Sequence, residues 1–175
     1  MKILVDADSC PKAARELALR RAAKLNICII FAANHQIPVV MESAKDLSKD
    51  LSKDKFLDKS LVKMEVCPNT ENSADDRIVD LAECGDIALT RDVPLAKRLV
   101  EKDIYVLDDR GRVFTKNNIN ELLSLRNFTV GLVNNGFEFD RISNYSKKDF
   151  KTFADSLDRL LTKITMEQRV VPLSY

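Results

Sequence analysis

With 175 residues, 45% hydrophobic and 31% charged, the chain has material for one well-formed core and too little for two, so a single domain over residues 1–175 is expected. Its 28 Lys and Arg nearly balance 27 Asp and Glu, and a net charge of +1 excludes a global field as the means of gathering an anionic partner. No apolar stretch reaches the roughly 20 residues that span a bilayer, no basic-then-apolar leader opens the chain, and four scattered cysteines with one histidine argue against zinc; a cytoplasmic protein with reduced thiols and no membrane contact is expected.

The first element is a short apolar strand, Ile3 to Val5, which runs into Asp6-Ala7-Asp8-Ser9-Cys10. Pro11 then leads a helix to Lys24, with Ala14, Leu17, Ala18 and Ala22 along one face. Ile27 to Ala32 is the next strand, and Asn34 and His35 follow it in a loop. The tract Lys45 to Asp54 repeats Lys-Asp-Leu-Ser with period four, which aligns Leu47 and Leu51 on a helix and surrounds them with charge. It is expected to be a solvated surface helix or mobile segment within an insertion over residues 42–60, in preference to a partner-binding helix.

Leu61 to Cys67 reads as a further strand. Ser73 is expected to cap a helix whose first turn holds Asp75 and Asp76 and which Gly85 stops. Strands over Asp86 to Thr90 and Ile104 to Leu107 flank a proline-led helix, Val93 to Glu101. Two more helices follow, Asn117 to Arg126 and Lys147 to Ile164, the second with Phe150, Phe153, Leu157, Leu160 and Leu161 on one side, and a surface loop is expected from Gly131 to Ser146. Strands alternating with helices require parallel crossovers, so the fold class is α/β, a mainly parallel sheet of about five strands.

The acids carry the chemistry. Asp6 and Asp8 stand where a buried strand turns into a helix, the place where open α/β sheets hold their ligands. Asp86-Ile87-Ala88-Leu89-Thr90-Arg91-Asp92-Val93-Pro94 repeats the arrangement, so Asp92 meets Asp6 and Asp8 in one crevice if the two strands are neighbours, and Asp75 can reach the same place. Carboxylates crowded together need a cation, a positive side chain or a shared proton. Four oxygen donors without a histidine or cysteine cluster suit Mg²⁺ or Mn²⁺, and such a site fits hydrolysis of a phosphodiester. The plainer alternative is that these acids are helix caps and strand-end turn residues.

Val5-Asp6-Ala7-Asp8-Ser9-Cys10-Pro11, Ala33-Asn34, Ala74-Asp75, the stretch from Gly85 to Ala96, and Leu107-Asp108-Asp109-Arg110-Gly111 resemble the successive signatures of the YaiI/YqxD family. The likeness covers nearly the whole chain outside the Lys-Asp-Leu-Ser tract. It implies a three-layer α/β/α sandwich similar to the PIN fold of metal-dependent nucleases, with Asp6, Asp8, Asp75 and Asp92 as catalytic and metal-binding residues, Mg²⁺ or Mn²⁺ as cofactor, and nucleic acid, RNA before DNA, as partner. The chain departs from the family pattern at Asn72, Asp109 and Asn127, where the family has an acid, a proline and an acid.

Arg91, Arg110 and Arg126 are candidate phosphate holders, because a guanidinium pairs two-pronged with phosphate oxygens; surface ion pairing accounts for each equally well. Ser9, Thr90 and Asn34 can position water or substrate. Cys10 at a helix start, with two acids nearby, reads as a packed thiol and His35 as a loop residue. Two other functions remain open. One is a non-catalytic module that binds RNA or protein. The other is a phosphatase similar to the haloacid dehalogenases, with Asp6 as nucleophile, Asp8 as acid and Asp108 and Asp109 holding metal, although that class has Thr or Ser where Cys10 stands.

Overall fold

Ile3, Leu4 and Val5 have no exposed surface, and a strand apolar on both faces needs a helical layer on each side. A computed structural model, which describes residues 1–37, 59–138 and 145–170, shows how the chain supplies them. In chain order the elements are β1 (Lys2–Asp6), α1 (Lys12–Leu25), β2 (Cys28–Ala33), a single 3₁₀ turn (Lys59–Leu61), β3 (Val62–Val66), α2 (Ser73–Leu81), β4 (Ile87–Leu89), α3 (Val93–Glu101), β5 (Tyr105–Leu107), β6 (Val113–Phe114), α4 (Ile119–Asn134) and α5 (Lys147–Val170).

The sheet has six strands in the order β3-β2-β1-β4-β5-β6. The first five are parallel; β6 returns antiparallel to β5 through a tight hairpin, pairing Leu107 with Val113 and Val106 with Phe114. Side chains alternate across it as strand geometry requires. Ile3, Val5, Ile29 and Phe31 join α1 and α5 through Ala14, Ala18, Phe153 and Leu157. Leu4, Ile30, Ala88 and Val106 join α2, α3 and the start of α4 through Ile78, Leu95, Leu99 and Ile119. The architecture is thus a three-layer α/β/α sandwich.

Chain order places the site. From β1 the sheet grows one way through β2 and β3 and the other way through β4 and β5, so the crevice between the carboxyl ends of β1 and β4 is the topological switch point. The register Val5↔Leu89 sets Asp6 level with Thr90 across it.

The mainly parallel sheet is as expected, its five parallel strands joined by β6, whose two residues are too few to signal a strand. Two expectations are corrected. Ser73 is the first residue of α2 and does not cap it: Asn72 occupies that position in a left-handed conformation (φ 60°), which Asn tolerates better than most residues. The helix placed at Asn117 to Arg126 continues to Asn134, through what reads as the start of a loop. The Lys-Asp-Leu-Ser tract lies outside the described residues. No helix among the described residues is long and apolar enough to cross a membrane.

Candidate functional site

Asp6 ends β1 almost wholly buried, and its carboxylate is held on three sides. Ser9 Oγ donates to Oδ2 at 2.6 Å, Thr90 Oγ1 donates to the same oxygen at 2.7 Å, and the Ser9 amide donates to Oδ1 at 3.3 Å. Each hydroxyl is itself placed by backbone. Thr90 Oγ1 accepts from the Asp92 amide at 3.0 Å, and Ser9 Oγ accepts from the Arg91 amide at 3.2 Å. The loops after β1 and β4 are therefore stitched together through one carboxylate. This explains how an acid is tolerated at the end of an apolar strand: every bond it makes is charge-assisted.

Asp92 caps α3, accepting from the Leu95 amide at 3.4 Å, with proline in the helix's first turn. Asp75 lies half-buried in the first turn of α2. Burial first, then the charges of Asp6 and Asp92, push its carboxyl from an ordinary 3.8 up to about 6, against the opposing pull of Arg98. Arg98 is itself engaged with Asp76 at 2.8 Å. The charges of Asp6 and Asp92, far from it in sequence, thus reach Asp75 across the switch point.

Asp8 Oδ2 accepts from the Asn34 amide at 2.8 Å and its Oδ1 stands 3.2 Å from His35 Nδ1, so Asp8 fastens the β1–α1 turn to the end of β2. The Asn34 side chain in turn accepts from Ser73 Oγ at 2.9 Å, joining the β2 end to the start of α2. Among the described residues no three His, Cys, Asp or Glu side chains stand together in an arrangement that would hold a metal ion. The donors nonetheless suit one in kind: they are oxygen ligands only, and burial together with the neighbouring acids raises one carboxyl.

The arginines divide. Arg91 grips Asp109 with both prongs of its guanidinium, Nε to Oδ1 at 2.5 Å and Nη2 to Oδ2, and this pairing holds the guanidinium still more firmly protonated. Asp109 is buried, so the pair fixes the β4–α3 loop to the β5–β6 hairpin. Arg110 lies in that hairpin, where its amide donates to Asp108 at 2.9 Å. Arg126 sits exposed on α4, and no bond among the described residues ties it to the acids. Asp108 accepts from the Arg110 and Arg112 amides and serves the turn; burial pushes its carboxyl up. Cys10 is a packed thiol, driven up to about 12 by burial and by the charges of Asp109 and Asp6.

The reading of the sequence missed Asp109 as the partner of Arg91 and Ser73 as the partner of Asn34. Neither has a sequence signal, since both pairings join segments that only the sheet order brings together.

A sequence model of the family described as "Uncharacterized BCR, YaiI/YqxD family" matches residues 4–163. A UPF0178 protein of Treponema denticola is 41% identical over 169 residues, covering 97% of this chain and 96% of the relative. UPF0178 proteins of Treponema pallidum and Myxococcus xanthus are each 38% identical, over 164 and 169 residues; each covers 94% of this chain, with 83% and 96% of the relatives' own lengths.

Proposed function

The chain belongs to the YaiI/YqxD family, and from that premise we propose that it is a divalent-metal-dependent hydrolase of phosphodiester bonds, acting on RNA in preference to DNA, on a PIN-like domain. The observation that carries this is the sheet order with the bonds across it: Asp6 at the end of β1 is joined through Thr90 to the turn that holds Asp92, at the switch point, and both acids lie near enough to Asp75 to add to the burial that raises its carboxyl, against the pull of Arg98. Asp6, Asp75 and Asp92 are the residues that would hold Mg²⁺ or Mn²⁺. When bound, such an ion polarises a phosphoryl oxygen and acidifies water.

The chain's own groups supply the rest. Ser9 and Thr90 fix the rotamer of Asp6, so that one carboxylate has a single orientation toward the crevice. With the carboxylates acting mainly as ligands, one acid left off the ion would take the proton of attacking water. The Arg91 amide donates to Ser9 Oγ, while Asp109 fixes the direction of the Arg91 guanidinium, which would hold a phosphate oxygen through its remaining N–H groups. Asp8 acts as a positioning residue through Asn34.

The competing module reading draws on the same pair: an arginine already neutralised by a buried acid grips phosphate less strongly. The phosphatase reading needs Asp108 and Asp109 for metal, and both are committed elsewhere, to hairpin amides and to Arg91. The test is cleavage of end-labelled single-stranded RNA and DNA by the full chain in Mn²⁺ or Mg²⁺, with EDTA controls, and with Asp6→Asn and Asp92→Asn. Metal-dependent RNA cleavage that both variants lose by at least about 100-fold is expected, the scale of removing a group that acts in the transition state. Cleavage unchanged in both variants removes the acids from the mechanism.

A further inference from the structure

The near-neutral total of the chain conceals an uneven surface. Arg91, the hairpin residues 108–112 and the segment 145–151 that opens α5 hold six Lys and Arg against three Asp, a surplus of three where the whole chain carries +1. Two of those acids, Asp108 and Asp109, are buried, whereas Arg112, Lys147, Lys148 and Lys151 are exposed. The charge that faces outward is positive.

The fold joins these segments beside the crevice. Asp109 ties the hairpin to Arg91 on one side. On the other, a Cβ on Gly111 would lie 2.6 Å from the Thr152 carbonyl oxygen, so the hairpin backbone rests directly on the second turn of α5. Hydrogen bonds from Ser146 hold the Asp149 carboxyl below the usual carboxylate range, and the charges of Arg110 and Lys148 add to this, so a hairpin cation and a helix cation act on one side chain.

What the lysines do for the helix does not account for them. Lys147 and Lys148 stand in the first turn of α5, where the positive end of the helix dipole opposes a cation. That turn is already capped: the Ser146 hydroxyl donates to Asp149 at 2.8 Å and accepts from its amide at 3.1 Å. At the opposite edge of the sheet Lys116 and Lys163 reach carboxylates at 2.6 and 3.9 Å, whereas among the described residues Lys147, Lys148 and Lys151 form no ion pair. Their spacing sets all three on one side of the helix.

We propose that Arg110, Arg112, Lys147, Lys148 and Lys151 hold successive backbone phosphates of a nucleic-acid strand that runs from the crevice over the β5–β6 hairpin onto α5. This rests on the reading of the crevice as a phosphodiester site, and it makes the substrate a polymer rather than a single nucleotide. Affinity for a polyanion comes from releasing its counterions, which lysines without neutralising partners do best. A lipid surface fits less well, because the exposed side chains that open α5 are Ser146, Lys147, Lys148, Lys151 and Thr152, with no apolar group among them to enter a bilayer.

Fluorescence anisotropy of a labelled single-stranded RNA dodecamer with the full chain in EDTA tests this apart from cleavage. Lys147→Gln/Lys148→Gln/Lys151→Gln, its fold checked by circular dichroism, is compared with Lys24→Gln/Lys116→Gln/Lys163→Gln, the same change of charge at the amino edge of the sheet. Three phosphate contacts, each with a salt slope of about 0.7, amount to about 100-fold in affinity at about 0.1 M salt. The first variant is expected to bind about 100-fold more weakly than wild type, its plot of log affinity against log salt flatter by about 2, and the second to bind as wild type does. No loss in the first variant, or an equal loss in both, overturns the track. So does a wild type that leaves the RNA unbound, whether or not these lysines bind it to phosphatidylserine vesicles. RNA held by the lysines but never cleaved in Mn²⁺ removes the hydrolase reading and leaves the track standing.

Discussion

At the scale of single residues, the charge on Asp75 is the most informative quantity in the molecule. Its carboxyl titrates near 6 in the folded chain and near 3.8 in the unfolded one, so ionisation is disfavoured by folding. The destabilisation is complete above about pH 6 and fades as pH falls through that value toward 3.8, where both states are protonated. Asp75→Asn in metal-free buffer is therefore expected to raise Tm at pH 7.5 by about 2–4 °C, the effect of roughly 1 kcal/mol once solvent screening of a half-exposed group is allowed for. The gain should vanish near pH 4; a variant less stable than wild type at pH 7.5 contradicts the electrostatic account. Thiol chemistry offers an independent check. Cys84 is exposed, whereas Cys10 is buried with its thiol up near 12. A disulfide reagent at pH 8 is expected to modify Cys84 rapidly and Cys10 only as fast as the chain unfolds. Equal rates at the two positions would mean that the turn behind β1 is open.

At the scale of elements, what the sequence made legible follows from how strongly a segment's neighbours constrain it. β1 is an apolar run that ends in an acid, β4 one followed by a turn to Asp92, α3 has proline in its first turn, and the Phe150 to Leu161 stripe faces the core: each carries its own signal in periodicity or turn chemistry. β6 has two residues, too few for alternation. α4 hides its true end because apolar, β-branched residues around its circumference leave no polar face to mark the period. The Arg91–Asp109 clasp was illegible for another reason: its partners, 18 residues apart, meet only because β4 and β5 are adjacent. The β5–β6 hairpin that carries Asp109 depends on Gly111. With φ at +87°, a Cβ there would lie 2.6 Å from the Thr152 carbonyl oxygen in α5. Gly111→Ala is expected to cost about 2 kcal/mol or more, lowering Tm by about 4–8 °C. Gly136→Ala has the same φ sign with open space around it, and should cost about 1 kcal/mol. Equal melting shifts for the two would show that the hairpin does not press on α5.

At the scale of the whole molecule, the fold explains why acids distant in sequence act together: strand order reverses at β1, and the reversal leaves a crevice bordered by Asp6, the Thr90–Asp92 turn and the start of α2. Sequence motifs indicated the four candidate acids. Only three-dimensional order distinguishes Asp6, Asp75 and Asp92, which share a field, from Asp8, which braces β2. The central proposal is that one divalent ion binds in this crevice through at least two of these three acids. Crystals grown with millimolar Mn²⁺ and measured at the manganese edge address it without assuming any activity. A single anomalous peak is expected at the carboxyl ends of β1 and β4, about 2.0–2.3 Å from oxygens of at least two of Asp6, Asp75 and Asp92. No peak in that crevice, or Mn²⁺ bound only elsewhere, would contradict it.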